Sequence, residues 1–465
     1  MTHRPLRGDR LAHARPQNDD KERVREASDI TDVIGRHLTL HAKGNEYVCL
    51  CPFHDDHKPS MTVVPRKQIY HCFVCGAGGD IFDFVQNYLN MSFRESLEHL
   101  AEQAGIELTR AGGQPTSGPS SRTLADANKL ACEFFRSTLA HPTLGSNARA
   151  IIERRGISPD MVDAFQLGVA PAGWDGLLTE LQRKRIDPGA FLEGGLLRKR
   201  QDGSGAYDYF RNRLMFPIQD QAGRVIAFGA RKIDEQDEPK YLNSPETRLF
   251  DKSSTLFGLF QASRSIQHDR TAIVTEGYTD VIACHQAGFT NAVATLGTAL
   301  TNGHAKALSR ICDTVILLFD SDEAGRRAAE RAVEVFFAST IDVKIATLAP
   351  FTDAKDPDEL LKREDGDAVF REALGGSIDL LDFQFRRMSE SISGAGISAR
   401  ARLLREFCNR LAELGVQEVD PLRRRYIIRH VAEIASVPFD EVIALLPGGR
   451  RPRVSGQGEP APDAR

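Results

Sequence analysis

Two close pairs of metal-type ligands near the N-terminus, four short apolar segments alternating with helical ones over residues 271–348, and a helical pattern from residue 361 predict a multidomain chain of α/β and α+β class. The expected order is a zinc-ribbon β domain (27–109), a mixed α+β basic domain (123–268), a doubly wound parallel domain (269–360) and a C-terminal helical segment (361–447). A polar extension (1–26), a Gly/Pro/Ser-rich tether (110–122) and a Gly/Pro/Arg-rich tail (448–465) are expected to stay unfolded, because such compositions cannot bury a core. The chain is otherwise ordinary in composition, with 41% hydrophobic and 27% charged residues. No apolar run reaches the ~18 residues of a membrane span and the N-terminus lacks an apolar signal core, so a cytosolic location is expected.

The ribbon is read from Cys51 with His54 (CPFH) and Cys72 with Cys75 (CFVC). Two residues between ligands let one turn present both to a single ion, and a second such pair closes a tetrahedral shell, so one structural zinc ion is expected. The chain between the pairs reads as short strands, and ribbons of this kind grip nucleic acid. Cys49 could stand in for Cys51, although only Cys51 opens the CPFH turn. His57 and His71 read as surface groups or as groups that hydrogen-bond to the ligands. Cys132, Cys284, Cys312 and Cys408 are scattered singly and read as reduced core thiols. Helical runs at 80–89 and 93–103 should pack on the ribbon, and the tether that follows should let the module move independently.

In an open parallel sheet, ligands bind beyond the carboxyl ends of the strands. Each apolar segment here delivers acids to that edge: Glu276 after the first, with Asp280 four residues on and on the same helix face; Asp320 and Asp322 after the third; Asp356 and Asp358, flanking Pro357, after the fourth. Six carboxylates on one rim repel unless a cation sits among them, and hard oxygen donors point to magnesium or manganese and to chemistry at a phosphate. The alternative for each acid is a helix N-cap.

Residues 196–232 hold eight Lys or Arg against three acids, a local balance of +5, interleaved with Tyr207, Tyr209, Phe210, Phe216 and Phe228. Cations neutralise phosphates and aromatics stack on bases, so the segment reads as a strand-binding groove. The alternative is a solvated face with the phenylalanines in the core.

Over residues 24–446 the chain resembles the bacterial DnaG-type primases. The resemblance is carried by CPFHDDHKPS with YHCFVCGAGGD, by YFRNRLMFPI, by FGAR with PKYLNSPET, and by EGYTDVI, TLGTALT, FDSDEAG and DPDEL in that order. It implies that the doubly wound part is a Toprim domain and that the activity is DNA-templated synthesis of short RNA primers from ribonucleoside triphosphates. By the family's motifs, Glu276, Asp320 and Asp322 form the central catalytic metal site, and Asp280, Asp356 and Asp358 complete further positions for two or more Mg2+ or Mn2+ ions. Arg155, Arg211, Arg213, Arg231 and Lys240 match basic positions that line the template and the incoming triphosphate, with Asn243 and Ser244 in the same motif. Implied partners are a single-stranded DNA template, ribonucleotides and the RNA/DNA hybrid product, with a monomeric protein expected. Full-length relatives carry a further helical domain that contacts the replicative helicase, whereas this sequence stops soon after Leu446. Helicase contact is then absent, or made by the shorter helical region, or supplied by a separate partner.

A type IA topoisomerase or nuclease would share the Toprim fold. Strand passage needs a covalent tyrosine in a large gate domain, and Tyr426 stands alone in the short helical region. No G-x-x-x-x-G-K-[ST] loop occurs, which excludes a fused P-loop motor. A non-catalytic DNA-binding scaffold is the remaining rival, and it would favour basic residues where the six acids stand.

Overall fold

The computed structural model describes residues 16–54, 56, 58–89, 93–106, 108, 119–318, 331–337 and 341–446. It forms two units: residues 1–134, 173–211 and 219–227 in one, and residues 135–172, 212–218 and 228–465 in the other.

In the first unit, β1 (His41–Lys43), β2 (Glu46–Cys49), β3 (Met61–Val64), β4 (Ile69–Cys72) and β5 (Gly78–Gly79) form an antiparallel sheet in sequence order. Alternation along β3 and β4 buries Met61, Val63, Tyr70 and Cys72 on one face, where helices Ile81–Tyr88 and Phe93–Ala104 cover them. Phe84 fills the centre, edge-on to Tyr70 at 5.5 Å and stacked on Tyr88 at 5.2 Å. Burying rings of this size stabilises the module by about 1.5–3 kcal/mol each. Asp80 starts helix Ile81–Tyr88 with a capping box, accepting from the Phe82 and Asp83 N–H groups while Asp83 accepts from the Asp80 N–H.

Two expectations are corrected here. Residues Pro16–Ala27 form a helix, with Val24 fully buried and Arg25 donating to the Asp80 carboxylate at 2.7 Å, so the unfolded extension does not reach residue 26. Nor is the ribbon free of the basic segment. Ala222 packs against the ribbon core, and the Arg224 guanidinium pairs with both Glu102 and Asp220. Most of the expected tether lies outside the described residues, and helix Ser121–Ala140 begins within its last positions. In the same unit, β7 (Leu197–Lys199) and β8 (Ala206–Asp208) form a hairpin.

The second unit holds most of a sheet of order β11-β10-β9-β6, in which β6 (Gly168–Ala170) pairs antiparallel with β9 (Arg213–Gln219) and β10 (Val225–Lys232) with β11 (Tyr241–Asn243). Its other sheet has the order β13 (Ala292–Ala294), β12 (Thr271–Thr275), β14 (Thr314–Leu318), β15 (Asp342–Ala346), β16 (Ile378–Asp379). The first four strands are parallel, as expected; β16 adds an antiparallel edge from a stretch expected to be helical throughout. Val274, Val315, Leu317 and Val343 face one apolar layer, and Ile273, Leu318 and Ala346 the other, which is the two-sided burial of a doubly wound sheet. Helices Leu380–Ser393, Ile397–Glu413, Pro421–Ala435 and Phe439–Leu445 extend the first layer through Phe385, Cys408 and Val431. Strand order reverses between β12 and β14, the switch point of the sheet. Among the described residues no helix is long and apolar enough to cross a membrane.

Candidate metal centres and nucleic-acid contacts

The four ribbon ligands converge. One donor atom each from Cys51, His54, Cys72 and Cys75 lies within 4.8 Å of the others, with Cys51 Sγ 3.7 Å from Cys75 Sγ and His54 Nδ1 3.9 Å from Cys72 Sγ. Three thiols and one imidazole nitrogen at these separations fit a tetrahedral zinc ion. Burial works against a Cys72 thiolate, but the Cys75 N–H, the Ser60 hydroxyl and the Val74 N–H outweigh it and bring that thiol down to about 6. Burial pushes the Cys51 thiol up, a cost that a bound divalent cation reverses. Asp56 ties the knuckle together: it accepts from the Cys51 N–H at 2.7 Å and the Ser60 hydroxyl at 2.6 Å, and lies 3.8 Å from His54 Nε2. Such outer partners orient ligands. Cys49 turns away, its thiol on the Met61 carbonyl, so that Cys51 and not Cys49 joins the four-residue cluster. His71 packs edge-on against Phe73 outside the cluster, and His57 lies outside the described residues.

At the parallel sheet, Glu276 is exposed in the bend directly after β12. Helix Tyr278–Gln286 begins after it, capped by Gly277, so Glu276 precedes the helix that carries Asp280 and does not share its face. Asp280 is buried and folds back over this helix start: a Cβ on Gly277 would come within 2.9 Å of its carboxylate, a close approach that glycine permits. Asp320 and Asp322 follow β14 and lie outside the described residues. Asp356 caps helix Pro357–Leu360, accepting from the Glu359 N–H at 2.7 Å, the N-cap alternative weighed for it. Both oxygens of Asp358 are taken by cations, Oδ2 by Arg155 at 2.5 Å and Oδ1 by Lys362 at 2.8 Å. Two predicted site residues, one assigned to metal and one to nucleic acid, are thus each other's partners.

The basic segment separates into structural and surface groups. Phe210, Phe216 and Phe228 are fully buried, so they are core side chains and cannot stack on bases. Arg213 is buried as well and donates to the Pro239 and Glu238 carbonyls, and Arg224 is committed to its acids. The surface keeps a cation-aromatic ladder in the first unit: Arg198 over Tyr209 at 4.8 Å, and Arg211 over Trp174 at 4.0 Å and Tyr207 at 5.6 Å. Sequence reasoning missed Trp174, which is 55% exposed; that this is the only tryptophan in the chain was the available signal. In the second unit Arg231 and Lys240 flank Tyr241, at 5.2 and 5.8 Å from its ring. Asn243 is a clamp. Its Nδ2 donates to the Leu296 carbonyl at 2.8 Å and its Oδ1 accepts from the Tyr278 hydroxyl at 2.5 Å. Tyr278 stacks on Phe216 and lies over Gly229, where a Cβ would overlap its ring. Ser244 is buried, and its hydroxyl accepts from the Phe228 N–H of β10.

Three family models match in the same order along the chain: the CHC2 zinc finger at residues 17–115, the N-terminal domain of the DNA primase catalytic core at 134–263, and a Toprim-like domain at 273–361. A DNA primase of Halalkalibacterium halodurans is 36% identical over 422 residues, covering 90% of this chain and 69% of the relative. One of Pseudomonas putida is 40% identical over 383 residues, covering 81% and 57%. Among solved structures, the zinc-binding and RNA polymerase domains of the Aquifex aeolicus primase align with a TM-score of 0.59 at 32% identity, covering 91% of this chain and 99% of that one. A DnaG primase catalytic domain bound to single-stranded DNA aligns at 0.61 and 32%, covering 69% and 98%. A knuckle built for zinc, a buried antiparallel sheet and a parallel sheet with acids at its switch point thus occur in the order, and with the sequence, of these proteins, and the chain belongs to the DnaG-type DNA primase family.

Proposed function

We infer that this chain is a DNA-directed RNA polymerase of the primase type, joining ribonucleotides on single-stranded DNA into short primers for replication. The observation that carries the reading is the adjacency of β12 and β14 at the switch point, because Glu276 follows one strand and Asp320 and Asp322 follow the other. Hard carboxylate oxygens suit magnesium or manganese; Glu276, Asp320 and Asp322, with help from Asp280 and Asp356, would hold such ions, which would neutralise phosphate oxygens and acidify the attacking hydroxyl. The protein's own part is positional. Glu276, exposed at the strand end, is placed to accept the proton of the primer 3′-hydroxyl. Arg231 and Lys240 beside Tyr241, and Arg211 on Trp174, offer charge and ring faces to template phosphates and bases. Asn243 and Tyr278 hold β11 against the helix that follows Glu276. The knuckle acts as a structural zinc site that shapes a template-binding ribbon.

A relative bound to single-stranded DNA supports the template as partner. Ribonucleoside triphosphates and the RNA/DNA hybrid follow from the reaction, and the replication fork in the cytoplasm is the proposed place. A scaffold that only binds DNA is the rival reading. The test is incubation of zinc-loaded protein with single-stranded DNA, Mg2+ and labelled ribonucleotides: oligoribonucleotides that disappear in Glu276→Gln support the polymerase, and DNA binding without any synthesis supports the scaffold.

A further inference from the structure

Arg155 and Asp358 lie 203 residues apart in sequence, yet Arg155 Nη1 donates to Asp358 Oδ2 at 2.5 Å, and their side chains are only 20% and 11% exposed. The turn that follows Arg155 is tied a second time. Gln286 Nε2 donates to the Gly156 carbonyl at 2.8 Å, and Gln286 Oε1 accepts from the Ser158 N–H at 2.8 Å. Gln286 ends the helix whose first turn holds Asp280, and Asp358 sits in the short helix capped by Asp356. These two acid-bearing helices pack on each other, and a cavity of about 110 Å³ lined by Arg155, Gln286, Asp358 and Lys362 lies at the junction. One turn, residues 155–158, therefore bolts together two helices that each bring a carboxylate to the rim.

We propose that Arg155 is a positioning residue: through Asp358, and with Gln286, it fixes the spacing of the Asp280 and Asp356 helices, and it does not contact template or triphosphate. The inference rests on the reading of the rim as a divalent-metal site. A guanidinium whose Nη1 is already bonded to a partly desolvated carboxylate is held there, and a template phosphate would have to compete with that carboxylate for it. Partners one shell out from metal ligands set metal affinity by holding the ligands in place.

The experiment measures Mn2+ binding to the zinc-loaded full chain by electron paramagnetic resonance, and template binding by fluorescence anisotropy across a salt series. Variants are Arg155→Ala, Asp358→Asn, Arg155→Lys, Gln286→Ala and the double variant Arg155→Ala with Asp358→Asn. Arg155→Ala should weaken Mn2+ binding about tenfold, with template affinity and its salt dependence unchanged. Gln286→Ala should weaken Mn2+ in the same direction, Arg155→Lys should fall between wild type and Arg155→Ala, and the double variant should be no weaker than its weaker single. Hydrogen exchange over residues 355–362 should speed up in Arg155→Ala. Unchanged Mn2+ binding with weaker template binding and a shallower salt slope would overturn the proposal and return Arg155 to the template track. Should Arg155→Ala fail to fold, Gln286→Ala and Arg155→Lys carry the same comparison. If wild-type protein binds no Mn2+ that Glu276→Gln removes, it is the reading of the rim that fails.

Discussion

In the zinc knuckle four ligands come from residues 51–75 and meet within 4.8 Å, whereas the acids of the parallel sheet are spread from residue 276 to residue 358 and depend on strand order to share an edge. The knuckle is a local device. Its ligand spacing, its turn and its supporting Asp56 all lie in one stretch of chain, so a change there should damage the ribbon and leave the distant chemistry largely intact. The rim is a product of topology: β12 and β14 must pair in register before Glu276 stands near the end of β14 at all. Chemistry assembled in this way would tolerate little change in any one acid, and the contact proposed to support it, Arg155 with Asp358, joins residues remote in sequence.

Four measurements test that contrast. The largest effect is expected from Glu276→Gln, which should lower primer synthesis by about 10²–10³-fold while zinc content and the fold of the ribbon stay as in wild type. Retained synthesis would remove Glu276 from the chemistry. Next, Cys72→Ser should abolish zinc binding, because metal binding and folding of such a knuckle are one event. Metal analysis and primer assays should show initiation on bare template reduced more than extension of a supplied primer. Equal loss of both would mean that the knuckle is not a separable device.

A smaller change is expected at the basic surface. Arg231→Ala should weaken template binding at all sequences and lower the slope of log affinity against log salt by about one, whereas Arg213→Ala should lower stability instead, since Arg213 is buried on backbone carbonyls. Anisotropy titrations and thermal melts of both variants separate the two roles. The smallest effect concerns Asp208, whose carboxylate receives the Leu177 and Leu178 N–H groups at the start of helix Gly176–Lys184. Burial dominates over those hydrogen bonds and pushes its carboxyl up from 3.8 to about 6. Because the folded value lies above the unfolded one, its contribution to stability is complete below 3.8 and is lost as pH rises through about 6. Denaturation from pH 5 to pH 7 should show a decline of at most about 1.4 kcal/mol per pH unit from this group, and Asp208→Asn should flatten it. An unchanged slope in that variant would assign the effect elsewhere.

Much of this was legible in the sequence because it is periodic or closely spaced. The CPFH and CFVC pairs fix the knuckle without knowledge of the fold, and four apolar strands of two-sided burial announce a parallel sheet. What escaped has no local signature. Helix Pro16–Ala27 is held through Val24 and the Arg25 pair to Asp80, too few apolar positions to stand out in a charged stretch. Strand β16 is two residues long and exists through its pairing with β15. The interleaving of cations and aromatics at residues 196–232 suggests a groove, yet the same pattern in β9 and β10 serves a sheet so fully covered that Phe216, Phe228 and Arg213 are all inside. Composition reports which side chains are present, and only tertiary packing decides which of them meet solvent. The acids show the same limit. Motif order placed them at strand ends, but nothing in DPDEL distinguishes Asp356, a helix cap, from Asp358, the partner of a distant arginine.

Whether acids from separate strand ends share divalent ions can be read by diffraction at the manganese absorption edge from crystals grown with Mn2+. Anomalous density bonded to Glu276 together with Asp320 or Asp322 is expected at the carboxyl edge between β12 and β14. Well-ordered carboxylates at that edge, with no manganese between them at saturating Mn2+, would contradict it.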